Sequence, residues 1–122
     1  MIRESTENYL ETIYVLSQRL DFVRSIDVCT ELGYSKPTIS VVMKQFRENG
    51  YIEMDSNGHI TLTKAGLDIA LRTYERHLVL TDMLTALGVS RETALADACK
   101  MEHDISDETL ACIKRFLAER QR

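Results

Sequence analysis

Three side chains that can bind metal ions occur close together near residue 100. Cys99, Glu102 and His103 are spaced i, i+3 and i+4, and on a helix this spacing places them on one face. A thiolate, a carboxylate and an imidazole suit zinc, iron, cobalt or manganese better than calcium or magnesium. His77 lies on a separate predicted helix and could complete the set. The spacing therefore predicts a transition-metal site built from two helices.

Each of these residues also has an ordinary structural interpretation. Cys99 could fill a small apolar space, Glu102 could form an ion pair, and His103 could interact with a helix C-terminus. On the spacing alone, these alternatives stay open.

The other candidate ligands have no partner nearby in the sequence. The three cysteines, Cys29, Cys99 and Cys112, are widely spaced and form no Cys-x-x-Cys pair, which indicates neither a disulfide framework nor a zinc ribbon. Cys29 and Cys112 follow apolar stripes, so we expect both in the core. His59 is expected to be a surface residue of a hairpin.

The elements that must position these residues follow from periodicity and capping residues. Ser5 and Thr6 are expected to cap the first helix. The pattern predicts further helices over residues 25–32, 35–49 and 64–87, another opening at Ser90, and a last one from Ser106 onward. Two short strands, 51–54 and 59–62, flank Asn57-Gly58, a typical hairpin turn. The order is helix, turn, helix, hairpin, which is typical of a winged helix-turn-helix.

The third predicted helix has an exposed face with DNA-binding chemistry. Short hydroxyls can contact bases or phosphates, and lysines can contact the backbone. An ordinary solvated helix face is the alternative. The predicted DNA-binding residues are Ser35, Lys36, Pro37, Thr38, Ser40 and Lys44.

The composition limits the class of protein. The chain has 122 residues, 44% of them apolar, and a net charge of −4, so DNA contact must use a local basic patch rather than overall charge. No apolar run is long enough to span a membrane, and the N-terminal residues are unlike a signal peptide. We therefore expect a cytoplasmic protein.

Several motifs together resemble one known family. They are Tyr9-Leu10-Glu11-Thr12-Ile13-Tyr14, Ser35-Lys36-Pro37-Thr38-Ile39-Ser40, Leu62-Thr63-Lys64-Ala65-Gly66, Tyr74-Glu75-Arg76-His77 and Cys99-Lys100-Met101-Glu102-His103. In this order they make the chain resemble the diphtheria toxin repressor and manganese transport regulator family over nearly its whole length. Its length is similar to the shorter manganese branch, which lacks a small β-barrel domain.

The resemblance implies a ligand set and a metal. The family's ligand positions fall on Asn8, Glu11, His77, Cys99, Glu102 and His103. Asn8 is the weak member, because manganese-type relatives have Asp and iron-type relatives have Met there. Cys99 follows the iron branch and Glu11 the manganese branch, so the metal is Mn(II) or Fe(II), with Zn(II) as a further option.

The resemblance also implies the architecture and the function. We expect a mainly α protein with a winged helix-turn-helix over residues 1–63 and a helical dimerisation and metal-binding domain over residues 64–122. A divalent metal would bridge the domains of a homodimer and favour binding to operator DNA, which is the behaviour of a repressor. Surplus apolar residues on the last helices also favour a homodimer.

Three other functions stay open at this stage. A metal with an open coordination position could serve an enzyme, but no second acid–base group is placed for it, so we expect no catalysis. A metal-independent winged-helix regulator could sense an organic ligand, or thiol oxidation at Cys99. A winged helix can also act only in protein association.

Overall fold

The computed structural model describes residues 4–120 of the chain. Residues 1–3 and 121–122 lie outside this range. The first of these belong to the N-terminal segment whose sequence is unlike a signal peptide. Within it are six helices and one hairpin. The elements are α1 (Glu4–Arg19), α2 (Ser25–Leu32), α3 (Lys36–Glu48), β1 (Ile52–Met54), β2 (Ile60–Leu62), α4 (Lys64–Ala86), α5 (Arg91–Met101) and α6 (Asp107–Arg120).

The mainly α architecture with a two-stranded hairpin is confirmed, and most helix starts lie where the capping residues predict. Ser35 accepts a hydrogen bond from the Thr38 amide at the start of α3, and Ser90 caps α5 in the same way. The expected cap by Ser5 and Thr6 is wrong, since α1 already includes Glu4. In the described part of the chain, no helix combines the length and apolar character that crossing a membrane requires.

The chain divides into two compact units, Met1–Leu71 and Arg72–Arg122, here called the N-terminal unit and the C-terminal unit. The N-terminal unit has a continuous apolar core beneath α1, α2, α3 and the hairpin. Its most buried members include Leu10, Ile13, Val28, Ile39 and Met43. Ile39, Met43 and Phe46 line the buried side of α3, so the opposite side of that helix is left exposed.

The hairpin, here called the wing, is held at its base by a close backbone contact. Strands β1 and β2 pair in antiparallel fashion, with Ile52 opposite Leu62. The Tyr51 carbonyl accepts the backbone N–H of Thr63 at 3.0 Å, and Gly66 lies against the same carbonyl. A Cβ atom at Gly66 would lie 2.1 Å from the Tyr51 oxygen. Glycine is therefore required where α4 leaves the wing.

The C-terminal unit has a smaller core and also exposes apolar side chains. Leu80, Ala94, Ala98 and Leu110 are buried. A groove of about 360 Å³ lies between α4 and α6. It is lined by Met83, Leu87, Glu108, Thr109, Cys112, Ile113 and Phe116. Cys112 is exposed, so its expected place in the core is wrong: an apolar stripe marks a helix face but does not say what covers it.

Candidate metal centre and nucleic-acid interface

The predicted metal-binding trio does not lie on one continuous helix. Helix α5 ends at Met101, Glu102 is its C-cap residue, and His103 follows in the turn before α6. The Glu102 amide still donates to Ala98 at 3.0 Å, so the helical path extends as far as Glu102. The expectation that all three lie on one helix is therefore wrong for His103, and Cys99 is exposed whereas Glu102 is buried.

Two imidazoles flank the carboxylate of Glu102. His77, on α4, places its Nδ1 atom 3.1 Å from Glu102 Oε2. His103 places its Nε2 atom 3.5 Å from Glu102 Oε1. The structure thus brings together three of the predicted ligands, although they lie up to 26 residues apart in the sequence.

The Glu102 carboxylate is completely buried, with 0% of its side chain exposed. Its Oε1 atom has no hydrogen-bond partner among the described residues, since the 3.5 Å separation from His103 is too long for a normal hydrogen bond. A buried carboxylate oxygen without a partner is costly, so the site favours a cation there. Imidazole nitrogens and carboxylate oxygens are the ligand types that manganese, iron and zinc accept, so the types of side chain around Glu102 suit such an ion.

The remaining predicted ligands occupy several positions. Cys99 is exposed on the last turn of α5. Glu11 and Asn8 are half-buried on α1, within the N-terminal unit. The backbone carbonyl of Asn8 accepts a hydrogen bond from the Thr12 hydroxyl at 2.8 Å. This bond already occupies one lone pair of the carbonyl oxygen.

A buried arginine beside this site was missed by the sequence reasoning. Arg76 precedes His77 on α4, and only 7% of its side chain is exposed. Its guanidinium donates to the backbone carbonyls of Glu102 at 3.1 Å and of Ile105 at 2.7 Å, and also to the Asp107 carboxylate. These acceptors lie 26 to 31 residues away in the sequence, so no local pattern could have revealed them.

The predicted DNA-binding residues form an exposed surface around the start and outer face of α3. All six are exposed: Ser35, Lys36, Pro37, Thr38, Ser40 and Lys44. Arg47 on the same helix is also exposed and adds a third cation. A chain with a net charge of −4 thus presents a local basic patch on the second helix of its helix-turn-helix.

Two hydroxyls of this surface already have structural partners. Ser35 Oγ lies 2.8 Å from Thr38 Oγ1 and accepts the Thr38 amide. This pair closes the first turn of α3. Lys36, Ser40, Lys44 and Arg47 are exposed on the helix itself, and so is Val41, which is 57% exposed. Val41 is an apolar group on this face that the sequence reasoning did not include.

The turn of the wing is built around an aspartate. Asp55 Oδ1 accepts the backbone N–H groups of Asn57 and His59, each at 2.9 Å. These bonds, that from His59 foremost, lower the pKa of Asp55 below its ordinary value. Gly58 supplies the positive φ of 78° that closes the turn. The ionised carboxylate therefore stabilises the tip of the wing.

His59, expected to be a surface residue of the hairpin, is half-buried beside the turn of the wing. Phe22 stacks on its ring at a centroid distance of 4.1 Å and an interplanar angle of 11°. Its Nδ1 atom lies 3.1 Å from Asp55 Oδ2, and its Nε2 atom lies 3.0 Å from Arg24 Nη2. Because arginine is only a donor, His59 Nε2 is the acceptor of this bond, and Nδ1 faces the Asp55 carboxylate. The wing is thus fixed to residues 22–24.

Comparison with known proteins identifies both parts of the chain. Residues 1–60 match the family model described as "Iron dependent repressor, N-terminal DNA binding domain". Residues 63–122 match "Iron dependent repressor, metal binding and dimerisation domain". The transcriptional regulator MntR of Escherichia coli O157:H7 is 37% identical over 114 residues, which cover 93% of this chain and 74% of that protein. The iron-dependent repressor IdeR of Mycobacterium leprae is 28% identical over 86% of this chain and 46% of its own length.

Solved structures agree with this relationship. A manganese-dependent transcriptional repressor in complex with manganese superposes with a TM-score of 0.84 at 28% identity. The match covers 93% of this chain and 52% of that chain. The manganese regulator SloR gives a TM-score of 0.77 at 25% identity, covering 93% of this chain and 53% of its own. The chain thus spans about half the length of these solved proteins. It belongs to the family of metal-dependent winged-helix transcriptional repressors that includes MntR and IdeR.

Proposed function

We propose that the chain represses transcription by binding operator DNA as a homodimer when a divalent transition metal is bound. Residues 1–63 are the DNA-binding domain, and residues 64–122 are the metal-binding and dimerisation domain. The metal ligands are Glu11, His77, Cys99, Glu102 and His103, with Asn8 as a weak additional ligand. The chain has no catalytic role in this proposal. The family membership of both parts supports it.

One observation carries the proposal: the fully buried Glu102 carboxylate with one oxygen unpartnered between two histidines. His103 Nε2 lies 3.5 Å from Oε1, within ion-pair range, but Oε1 accepts no hydrogen bond from the described residues. A bound divalent cation supplies the positive charge that this carboxylate lacks. Glu102 and the two imidazoles hold the cation, and their burial, with 0% to 20% of each side chain exposed, limits competition from water.

The coupling to DNA follows from the division of the ligands along the chain. Glu11 belongs to residues 1–63 and the other strong ligands to residues 64–122, so metal occupancy draws on both domains. Without a cation, the negative charges of Glu11 and Glu102 oppose a common site. In a dimer, two α3 helices read successive turns of the major groove, about 34–36 Å apart. Metal binding therefore favours the domain spacing that fits DNA.

The metal and the dimer are supported by different observations. Mn(II) and Fe(II) are the metals named for the relatives, and a solved relative, ScaR, contains Zn²⁺. The donor set here accepts all three. For the dimer, the C-terminal unit exposes large apolar side chains that a second copy would cover. These are Leu78 at 47%, Leu87 at 69% and Phe116 at 49% exposure.

DNA binding with and without metal tests this function. Duplexes would be selected from a random pool by the Mn(II)-treated protein, and affinity would then be measured with Mn(II) and with chelator. We expect Mn(II) to tighten binding by about fivefold or more, a typical allosteric coupling. Glu102→Gln, which keeps the shape and removes the charge, should bind DNA with no response to Mn(II).

Asp104→Asn is the matched control, because it removes a charge from an exposed position two residues further along the same turn. It should respond to Mn(II) as the wild type does. A full metal response in Glu102→Gln would contradict the proposed ligand. DNA binding by the wild type that ignores both Mn(II) and Fe(II) would contradict the function itself.

A thiol-sensing regulator is the second candidate, and the exposure of Cys99 favours it. An accessible thiol near the metal site can be oxidised by peroxide. This function predicts DNA binding that ignores chelators, responds to peroxide, and loses that response in Cys99→Ser. The metal-dependent function predicts the opposite dependence on chelators.

A further inference from the structure

Arg76 is a buried cation that donates to the connection between α5 and α6 and to the first residue of α6. Residues 102–106 connect the end of α5 at Met101 to the start of α6 at Asp107. The Nη1 atom of Arg76 donates to the carbonyls of Glu102 and Ile105, near the two ends of this segment. The Nη2 atom donates to Asp107, the first residue of α6.

Two of these bonds satisfy backbone carbonyls of the connection, that of the C-cap residue Glu102 and that of Ile105. Carbonyls at and beyond the end of a helix have no donor within that helix, so they need partners from elsewhere in the structure. Within the turn, the Asp104 amide donates a hydrogen bond to the Met101 carbonyl at 3.0 Å. The guanidinium of Arg76 adds a rigid planar group with fixed donor directions. Its contacts tie the connection between α5 and α6 to helix α4.

Helix α4 contacts Glu102 at two points through consecutive residues. His77 contacts the Glu102 side chain at 3.1 Å, and Arg76 contacts the Glu102 backbone carbonyl at 3.1 Å. We propose that Arg76 is a positioning residue of the metal site: it holds the 102–106 turn so that the Glu102 carboxylate faces His77 before the metal binds. This inference rests on the proposed function, since it concerns the same site.

The charge of Arg76 makes the inference testable by its sign. A cation close to a metal site repels the metal, so an arginine with only an electrostatic effect would weaken binding, and its removal would strengthen it. A positioning residue gives the opposite result, because its loss lets the turn move. Changing the groups that orient metal ligands typically costs 10- to 100-fold in metal affinity.

The test measures Mn(II) affinity in folded variants by the electron paramagnetic resonance signal of free Mn(II). We expect Arg76→Met to weaken Mn(II) binding by about 10- to 100-fold. Arg76→Lys, which keeps the charge but not the planar set of donors, should show an intermediate loss. The matched control is Arg72→Met. Arg72 lies one turn earlier on α4 and contacts the same Asp107 at 3.0 Å, but 62% of its side chain is exposed. Its loss should change affinity by less than about fivefold, since exposed ion pairs contribute little.

A second readout needs no metal. Hydrogen exchange of the metal-free protein should show faster exchange at the Glu102 and Asp104 amides in Arg76→Lys than in the wild type, with Arg72→Met unchanged. Equal or tighter Mn(II) binding by Arg76→Met, or wild-type affinity in Arg76→Lys where Arg76→Met does not fold, would overturn the positioning role. Both results leave the proposed function intact. That function fails only when the wild-type protein binds no metal, or when its affinity for DNA does not change with metal.

Discussion

Replacing Gly66 by alanine tests how closely helix α4 approaches the base of the wing. The added methyl carbon would lie 2.1 Å from the Tyr51 carbonyl oxygen and 3.3 Å from Leu62 Cδ2. The oxygen would have to move by about 1.3 Å to reach an ordinary contact distance of 3.4 Å. It now accepts the Thr63 amide at 3.0 Å and the Thr63 hydroxyl at 3.1 Å. Both hydrogen bonds would be lost or strained.

The size of the effect follows from three contributions. Two hydrogen bonds are worth about 1 kcal/mol each, and overpacking costs about 1–3 kcal/mol. Alanine is favoured over glycine in a helix by about 1 kcal/mol. We therefore expect Gly66→Ala to lower the free energy of unfolding by about 2–4 kcal/mol, although helix propensity alone predicts an increase.

Urea denaturation followed by circular dichroism measures this change. Ala65→Gly, at the exposed neighbouring position, is the control and should cost about 1 kcal/mol. Shortening Leu62 to alanine in the Gly66→Ala background should not restore stability, because the closest atom belongs to the backbone. Wild-type or higher stability of Gly66→Ala would refute the close approach.

Three further predictions concern the wing and the core beneath it. The His59 amide chiefly lowers the pKa of Asp55, so the stabilising effect of the carboxylate is present above the unfolded pKa of about 3.9 and is lost as pH falls through the folded pKa. The NMR chemical shift of the His59 amide should follow this titration, and an ordinary pKa for Asp55 would contradict the prediction. Burial, with a smaller contribution from Tyr34, raises the pKa of Tyr9, so the stabilising effect of the protonated Tyr9 is present below about pH 10 and is lost as pH rises through the folded pKa. In a titration followed by tyrosinate absorbance, Tyr34→Phe should move the pKa of Tyr9 back toward its ordinary value. Phe22→Ala removes the ring stacked on His59 and should lower the free energy of unfolding, measured by urea denaturation, by about 0.5–1.5 kcal/mol. Amide hydrogens of the wing should also exchange faster, and unaltered exchange would argue against the stack.

The features that the sequence predicts well are local. Ser35, Thr63 and Ser90 each cap a helix through a group three residues ahead, and a short window contains both partners. The hairpin turn at Asn57-Gly58 is equally local. Such signals depend on backbone geometry that a few residues determine, and the order of the elements followed from them.

The features that it missed depend on distant contacts. Phe22 and Arg24 contact His59, which lies more than 30 residues away in the sequence. Arg76 donates hydrogen bonds to acceptors that begin at Glu102, 26 residues further along the chain. No periodic pattern contains such pairs, because they arise only when the helices pack. The exposure of Cys112 has a related cause: an apolar stripe has the same sequence whether the fold or a second chain covers it.

The identity of the atoms around the bound metal tests the central claim most directly. In Mn(II)-loaded protein with ¹⁵N-labelled histidine, pulsed electron paramagnetic resonance detects nitrogen nuclei bound to manganese. The account predicts coupling to two imidazoles, those of His77 and His103, reduced to one in His77→Gln, with tight Mn(II) binding lost in Glu102→Gln. Tightly bound Mn(II) without histidine coupling, or unchanged coupling in His77→Gln, would contradict it.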